Sequence, residues 1–208
     1  MVITGERRMK TGILGGTFDP VHRGHLAIAE AARISQGLSG VIMIPAGQPA
    51  IKPKDEVTPA EHRLAMLRLA VEGKPELRVS EMEIERPGPS YTVDTIAQLR
   101  NSSGEENDLY FIIGWDSLLQ MPEWREPARI IEMCRLIAVP RPGYRRPDMN
   151  KLDDRIPGIK QRTILLDKPL IDINASAIRK MAAGGESIES FVPGPVAEYI
   201  KKFNLYRE

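Results

Sequence analysis

"GGTFDPVHRGH" (residues 15–25) stands between the apolar run "TGILG" (11–15) and "LAIAEAARIS" (26–35), whose apolar spacing is that of an amphipathic helix. The run reads as a short buried strand and residues 25–35 as a helix stopped near Gly37, so the quoted stretch is a strand-to-helix turn. A turn that only reversed direction would need one glycine and no histidine; this one carries two adjacent glycines, a proline and two histidines. Gly15 and Gly16 have no side chain to hold a ligand off the backbone, and a helix start offers unpaired amides and a positive dipole end. His22 and His25, three residues apart, face the same way on a first helical turn and can donate to phosphate oxygens.

Outward from this turn the chain alternates. Residues 41–45 ("VIMIP") read as a second strand, followed by a proline-rich loop through Thr58. "TPAE" (58–61) predicts a helix start with Thr58 at the N-cap, Pro59 at N1 and Glu61 completing a capping box, the helix ending near Gly73. "ELRVS" reads as a third strand, "SYTVDTIAQLR" as a helix, and "DLYFIIG" (108–114) as a buried strand. "PARIIEMC" reads as a helix, and "RLIAVP" (135–140) and "RTILL" (162–166) as strands. "SAIRKMAAG" and "PVAEYIKKF" close the pattern as helices. Alternating helices and strands that are apolar on both faces predict an α/β fold: a Rossmann-like, doubly wound parallel sheet with a small helical C-terminal part. "RPGYRRPDMNKLDDRIPG" (141–158), polar and rich in breakers, reads as an exposed loop. In such a sheet, ligands bind beyond the carboxyl ends of the strands, which is where the quoted turn lies.

The chain has 208 residues, 29 Lys and Arg against 28 Asp and Glu, and one cysteine. One domain over residues 9–208 suffices for that length, with residues 1–8 expected to be a disordered or dispensable extension. The near-neutral balance gives no electrostatic case for nucleic acid or an acidic membrane. No apolar run approaches the roughly 20 residues of a membrane span. Cys134 alone excludes an intramolecular disulfide framework and suits a reducing cytoplasm. A homo-oligomer is left open.

The motif "GGTFDPVHRGHL" resembles the signature of the nucleotidyltransferases with a His-x-Gly-His motif, and specifically the bacterial nicotinate-mononucleotide adenylyltransferases. "MIPAGQP", "HRLAML", "SYTVDT", "FIIGWDSL" with "EWRE", "VPRPG" and "IDINASAIR" follow in the order that family shows, from Met9 almost to the end. The resemblance implies transfer of the adenylyl group of ATP to nicotinate mononucleotide, giving deamido-NAD and pyrophosphate. The alternatives within the superfamily are nicotinamide mononucleotide or phosphopantetheine as acceptor.

The resemblance also implies roles. His22 and His25, with Arg179, would contact the ATP phosphates and carry the chemistry. Gly15, Gly16, Thr17 and Phe18 would line the nucleotide site, Gly114 and Asp116 would hold the ATP ribose, and Ser176 and Ile178 would belong to the late phosphate motif, with Ser176 capping a helix. Lys52, Tyr91, Thr92, Asp94, Trp124 and Arg141 would bind the nicotinate nucleotide, Trp124 by stacking on the pyridine ring and Arg141 near the phosphate. Three departures stand out. Asn174 and Ala175 replace two serines of the late motif, Ala50 and Ile51 replace a proline and a histidine before Lys52, and Trp115 stands where the family more often has a small residue, which would crowd or reshape the site. "PSYTVD" places Ser90 or Thr92 at a helix N-cap, whose amides would favour a pyridine carboxylate over a carboxamide.

Such a reaction needs no nucleophilic side chain. A nucleotide 5'-phosphate, with a second pKa of about 6, is already ionised at neutral pH. What is needed is two polyanions held in line and relief of charge on the α-phosphate. Magnesium would arrive on the ATP phosphates, with no dedicated protein ligands and no metal site of the protein's own. A fragment of a class I aminoacyl-tRNA synthetase would need a lysine-serine-lysine loop and an RNA-binding region, which the sequence lacks. A non-catalytic nucleotide-binding module would have little reason to keep both histidines and Arg179. His62 reads as structural, Arg63 as a salt-bridge partner behind the site, and Cys134 as buried and inert.

Overall fold

The computed structural model describes residues 8–49, 57–104 and 106–207. Lys52, Ala50 and Ile51 lie outside the described residues, as do residues 1–7 of the expected extension; Arg8, the last of that stretch, faces Asp108 across 3.6 Å on the surface. The elements run β1 (Lys10–Gly16), α1 (Arg23–Gln36), β2 (Gly40–Pro45), α2 (Ala60–Val71), β3 (Leu77–Val79), α3 (Met82–Glu85), α4 (Thr92–Ser103) and β4 (Asp108–Gly114). Then come α5 (Trp115–Gln120), α6 (Pro127–Met133), β5 (Arg135–Val139), α7 (Met149–Arg155), α8 (Ile159–Arg162), β6 (Thr163–Leu165), α9 (Ala175–Ala183) and α10 (Gly194–Lys202).

Six strands form one sheet in the order β3-β2-β1-β4-β5-β6, every neighbouring pair parallel. Period-two alternation divides the side chains between two cores. Leu14, Met43, Ile112 and Val139 point to one face, under α1, α2, α9 and α10; Ile13, Phe111, Ile113 and Ala138 point to the other, under α4, α6 and α7. The C-terminal helices are therefore a cover on the sheet, with Ile178, Ala182, Val196 and Ile200 in the first core. The chain winds outward from β1 in one direction and from β4 in the other. The switch point lies between them, where Gly15–Gly16 and Gly114 end adjacent strands.

Three local expectations are corrected. No side-chain cap forms at Thr58: the N-cap of α2 is Pro59. The Thr58 amide instead donates to Asp19 Oδ2 at 3.1 Å and its carbonyl accepts from Arg63 at 2.8 Å, so tertiary ties have taken the groups a capping box would organise. The first helix begins at Arg23, one turn-fraction earlier than expected, with His22 as its N-cap. Residues 141–158 are not all loop. Asp148 Oδ1 accepts from the amides of Asn150 and Lys151 and starts α7, and Leu152, Ile156 and Ile159, spaced four and three apart, are buried in the second core.

Candidate active site

At the end of β1 the backbone turns through Phe18, whose φ of 50° is uncommon for a bulky residue. Its ring is buried, covering Gly16 and meeting His25 edge-on at 4.9 Å. The two histidines then engage each other. The His22 amide donates to His25 Nδ1 at 3.2 Å, the His25 amide donates to the His22 carbonyl at 3.0 Å, and the rings stack 3.7 Å apart. Because His25 Nδ1 accepts, its proton sits on Nε2, and His25 presents an N–H outward. Burial holds His22 down at about 4, with the Arg141 charge adding to the effect. Burial, then His22, then Arg141, hold His25 well below the ordinary imidazole range. The pair is thus neutral at pH 7, two oriented dipoles rather than two cations.

The expected free amides of α1 are largely taken: Arg23 donates to the Phe191 carbonyl at 2.8 Å, and His22 and His25 are paired as above. The donor left on this turn is the Nε2–H of His25, whose Nδ1 is occupied by the His22 amide. His22 Nδ1 is buried without a partner. Gly24 is required by this packing, since a Cβ there would sit 2.9 Å from His22 Nδ1 and 3.0 Å from Ile171 Cγ2.

Long-range ties fix the loop. Arg63, 1% exposed, donates from Nη1 to the Thr17 carbonyl at 2.9 Å, from Nη2 to the Gly47 carbonyl at 3.1 Å and from Nε to Thr58. Its partners are carbonyls, not the carboxylate of a salt bridge. Asp19 Oδ1 accepts from the Tyr206 hydroxyl at 2.8 Å, and the Asp19 carbonyl accepts from Arg179 Nη1 at 2.8 Å. Burial, and then the charge of Asp19, push the Tyr206 hydroxyl up. Arg179 Nη2 also donates to Ser176 Oγ at 3.3 Å. Ser176 does not cap its helix. Asn174 does, its Oδ1 accepting from the Ser176 and Ala177 amides, so the departure at 174 preserves a cap. Ile178 is a core residue, and its amide donates to the Asn174 carbonyl at 3.1 Å.

At the end of β4, Gly114 is the N-cap of α5. Asp116 Oδ2 lies 3.3 Å from Arg141 Nε, while Oδ1 is buried without a partner. The structure therefore joins a residue expected at the ATP ribose to one expected at the mononucleotide phosphate. Trp115 crowds nothing in the opening. It is buried in the second core.

A cleft of about 510 Å³ opens beside this loop. Gly15, Gly16 and Thr17 form one wall, and Tyr91, Thr92 and Trp124 contribute to the other. Trp124 is half-buried and meets Phe111 edge-on at 6.3 Å. The N-cap of α4 is Tyr91, not Ser90 or Thr92, and no side chain caps this end. Ser90 Oγ accepts from the Gly47 amide at 3.1 Å instead. Asp94 is drawn 3.6 Å from Arg125, whose guanidinium covers the Tyr91 ring at 4.8 Å. Glu83, also in the wall, is buried and accepts from Thr95 Oγ1 at 2.6 Å; burial pushes its carboxyl up. His22, His25, Asp116, Arg141, Ser176 and Arg179 stand outside the cleft lining, reached along the Gly15–Thr17 loop that the two regions share.

Sequence reasoning missed Gly24, Asp19, Tyr206, Glu83 and Arg125, and misjudged what Arg63 binds. Among the described residues no group of three or more His, Cys, Asp or Glu could hold a metal ion, and no helix is long and apolar enough to cross a membrane.

Comparison with known proteins gives concordant results. The family model described as cytidylyltransferase-like matches residues 13–181. A protein of Dehalococcoides mccartyi named "Probable nicotinate-nucleotide adenylyltransferase" is 49% identical over 95% of this chain and 97% of its own length. One of the same name from Roseiflexus sp. is 46% identical over 94% and 97%. The solved Plasmodium falciparum nicotinic acid mononucleotide adenylyltransferase complexed with NaAD has the same fold, with a TM-score of 0.79 at 19% identity over 95% of this chain and 97% of that one.

Proposed function

The chain belongs to the cytidylyltransferase-like family and, within it, to the nicotinate-nucleotide adenylyltransferases, and on that premise we propose that it transfers the adenylyl group of ATP to nicotinate mononucleotide. A phosphate oxygen of the mononucleotide attacks the α-phosphorus of ATP, the bond from that phosphorus to the bridging oxygen breaks, and deamido-NAD and pyrophosphate leave. The attacking phosphate is already ionised, so no general base is required. ATP enters as its magnesium complex. The single Cys134, which leaves no intramolecular disulfide, suits a reducing cytoplasm as the setting.

The observation that carries this reading is the neutral His22–His25 pair, presented on the loop that also walls the cleft. A neutral imidazole such as His25, whose N–H is set on Nε2 by the bond its Nδ1 accepts, stabilises charge as it develops on the phosphates, without strongly retaining pyrophosphate. Arg179, within reach of the same loop through Asp19, supplies a cation. On the opposite wall, Thr92 and Val93 begin α4, so their amides have no intrahelical acceptor, and no side chain caps them. A pyridine carboxylate accepts from two such donors and gains from the helix dipole, whereas a carboxamide turns its own NH2 toward one of them. The resulting preference for the acid is about 100-fold or more in kcat/KM.

Pyrophosphate release from magnesium–ATP is measured with nicotinate mononucleotide, nicotinamide mononucleotide and phosphopantetheine in parallel. Release with the first, at the stated advantage over the second, is expected. Equal or reversed rates with the amide would refute the carboxylate site alone, and release only with phosphopantetheine would refute the acceptor class.

A further inference from the structure

We infer that Arg63 is a positioning residue that sets the spacing between the two substrate walls of the site, an inference that rests on the adenylyl-transfer reading above. The guanidinium sits on the inner face of α2 with Met66, Leu67 and Ala70, three, four and seven residues on, all buried. An apolar side chain would satisfy that face. A charge there carries a large desolvation cost, and burial does hold this guanidinium below its ordinary range, though an arginine stays protonated. All three of its hydrogen bonds among the described residues go to main-chain carbonyls of separate segments: Thr17 after β1, Gly47 after β2, and Thr58 before α2.

Two of those carbonyls belong to opposite sides of the reaction. Thr17 is on the loop that leads to His22 and His25. Gly47 is tied onward to the head of α4: its amide donates to Ser90 Oγ, the Ser90 amide donates to the Gln48 carbonyl at 2.8 Å, and Pro49 bridges to Ser90. The Gly47 α-carbon lies so close to the Glu83 carbonyl that a Cβ could not be accommodated, which makes the link stiff. A continuous path therefore runs from Thr17 through one planar guanidinium to Gly47, Ser90 and the Tyr91–Thr92 wall. Its geometry fixes how far apart the triphosphate and the attacking phosphate are held. In-line transfer depends steeply on that distance, because misplacement of about 1 Å costs on the order of 100-fold in rate.

In the reading above, the triphosphate is assigned to the Thr17 end of this path and the pyridine ring to the Tyr91–Thr92 end. Loss of the clamp should therefore leave each substrate's own affinity nearly intact and lower the rate of the ternary complex. In Arg63→Lys a single ammonium retains the charge and stem but cannot bridge three carbonyls as a planar fork does. The expected result is a fall in kcat of about 30-fold or more, with dissociation constants for ATP and for nicotinate mononucleotide, each measured alone by calorimetry, changed by less than about threefold. Leu152→Ala, which opens the core under α7 away from the site, serves as a control of comparable melting temperature and should keep the parental kcat. Ser90→Ala cuts the path at its far end while leaving the Arg63 guanidinium and its three carbonyls in place, and should show the same division at smaller size, about fivefold in kcat.

Parental kcat in folded Arg63→Lys, a loss no greater than in Leu152→Ala, or weakened binding of one substrate with kcat preserved would each overturn the proposal. Should Arg63→Lys not fold, parental kcat in Ser90→Ala overturns it and the expected division supports it. A parent enzyme that makes no deamido-NAD would instead refute the adenylyl-transfer reading.

Discussion

Replacing Gly24 by alanine separates helix propensity from site geometry. Gly24 is the second residue of α1, where alanine should gain about 1 kcal/mol over glycine. The added Cβ would lie 2.9 Å from His22 Nδ1, 3.1 Å from His22 Cε1 and 3.0 Å from Ile171 Cγ2. Reaching ordinary contacts of about 3.5–4.0 Å requires the imidazole to retreat by about 0.6–1.1 Å. It has little room to do so, being 6% exposed and stacked on His25 at 3.7 Å. Overpacking of this kind costs about 1–3 kcal/mol, so the net loss of stability is about 0–2 kcal/mol. For a chain of this size that is a drop in Tm of roughly 0–8 °C. The rate should suffer more. A displaced donor pair is expected to lower kcat by about 100-fold, equivalent to about 2.7 kcal/mol of transition-state stabilisation. Steady-state pyrophosphate release and a thermal melt on the same preparation give both numbers. A folded Gly24→Ala protein with kcat within threefold of the parent would show that the placement of His22 is not what the glycine protects.

His25→Ala should lower kcat by about 100-fold, since one oriented donor to developing phosphate charge is removed, and an unchanged kcat would sink the phosphate-site reading of the turn. Stability should fall on acidification. Both histidines are held below the usual range, so the unfolded chain takes up their protons first as pH falls. This contribution is whole above about 6.5; that of His22 is lost as pH drops toward 4, at up to about 1.4 kcal/mol per pH unit, and His25 acts in the same direction. Melts from pH 7.5 to 4.5 should therefore show a steeper decline for the parent than for His22→Asn, and parallel curves would contradict the buried neutral pair. Cys134 is 3% exposed, its thiol directed at the Ile130 carbonyl and pushed by burial to about 12. A thiol-specific disulfide reagent should leave the native protein unlabelled and titrate one thiol after unfolding.

What could be read in the sequence was whatever depends on near neighbours. The strand–turn–helix at residues 10–36 was visible because apolar periodicity, two glycines and the His-x-Gly-His spacing all lie within one element pair. The helix at Met149–Arg155 was hidden by its flanks: prolines and charges on both sides outweighed the Asp148 cap and the spacing of Leu152, Ile156 and Ile159. The Thr58 cap looked sound in isolation and failed because Asp19 and Arg63, distant in sequence, claim the same groups. Arg63 did carry a signal, a charge at an apolar position of α2, but nothing local says that a guanidinium will meet three carbonyls instead of a carboxylate. The histidines faced the same way, as spacing required. That they would bond to each other and stay neutral depended on the burial that the fold supplies.

The tie between Tyr206 and Asp19 spans 187 positions of the chain. During synthesis at about 5–20 residues per second, the glycine–histidine loop emerges roughly 10–40 s before the residue that secures it. Arg179 on α9 reaches the same Asp19 backbone only late in that interval. A nascent chain thus displays its first strand and both histidines long before the loop between them is held in place. The Asp19 part of the loop is thus tied down only by the C-terminal segments, whereas the Thr17 carbonyl can be held by Arg63 much earlier in synthesis.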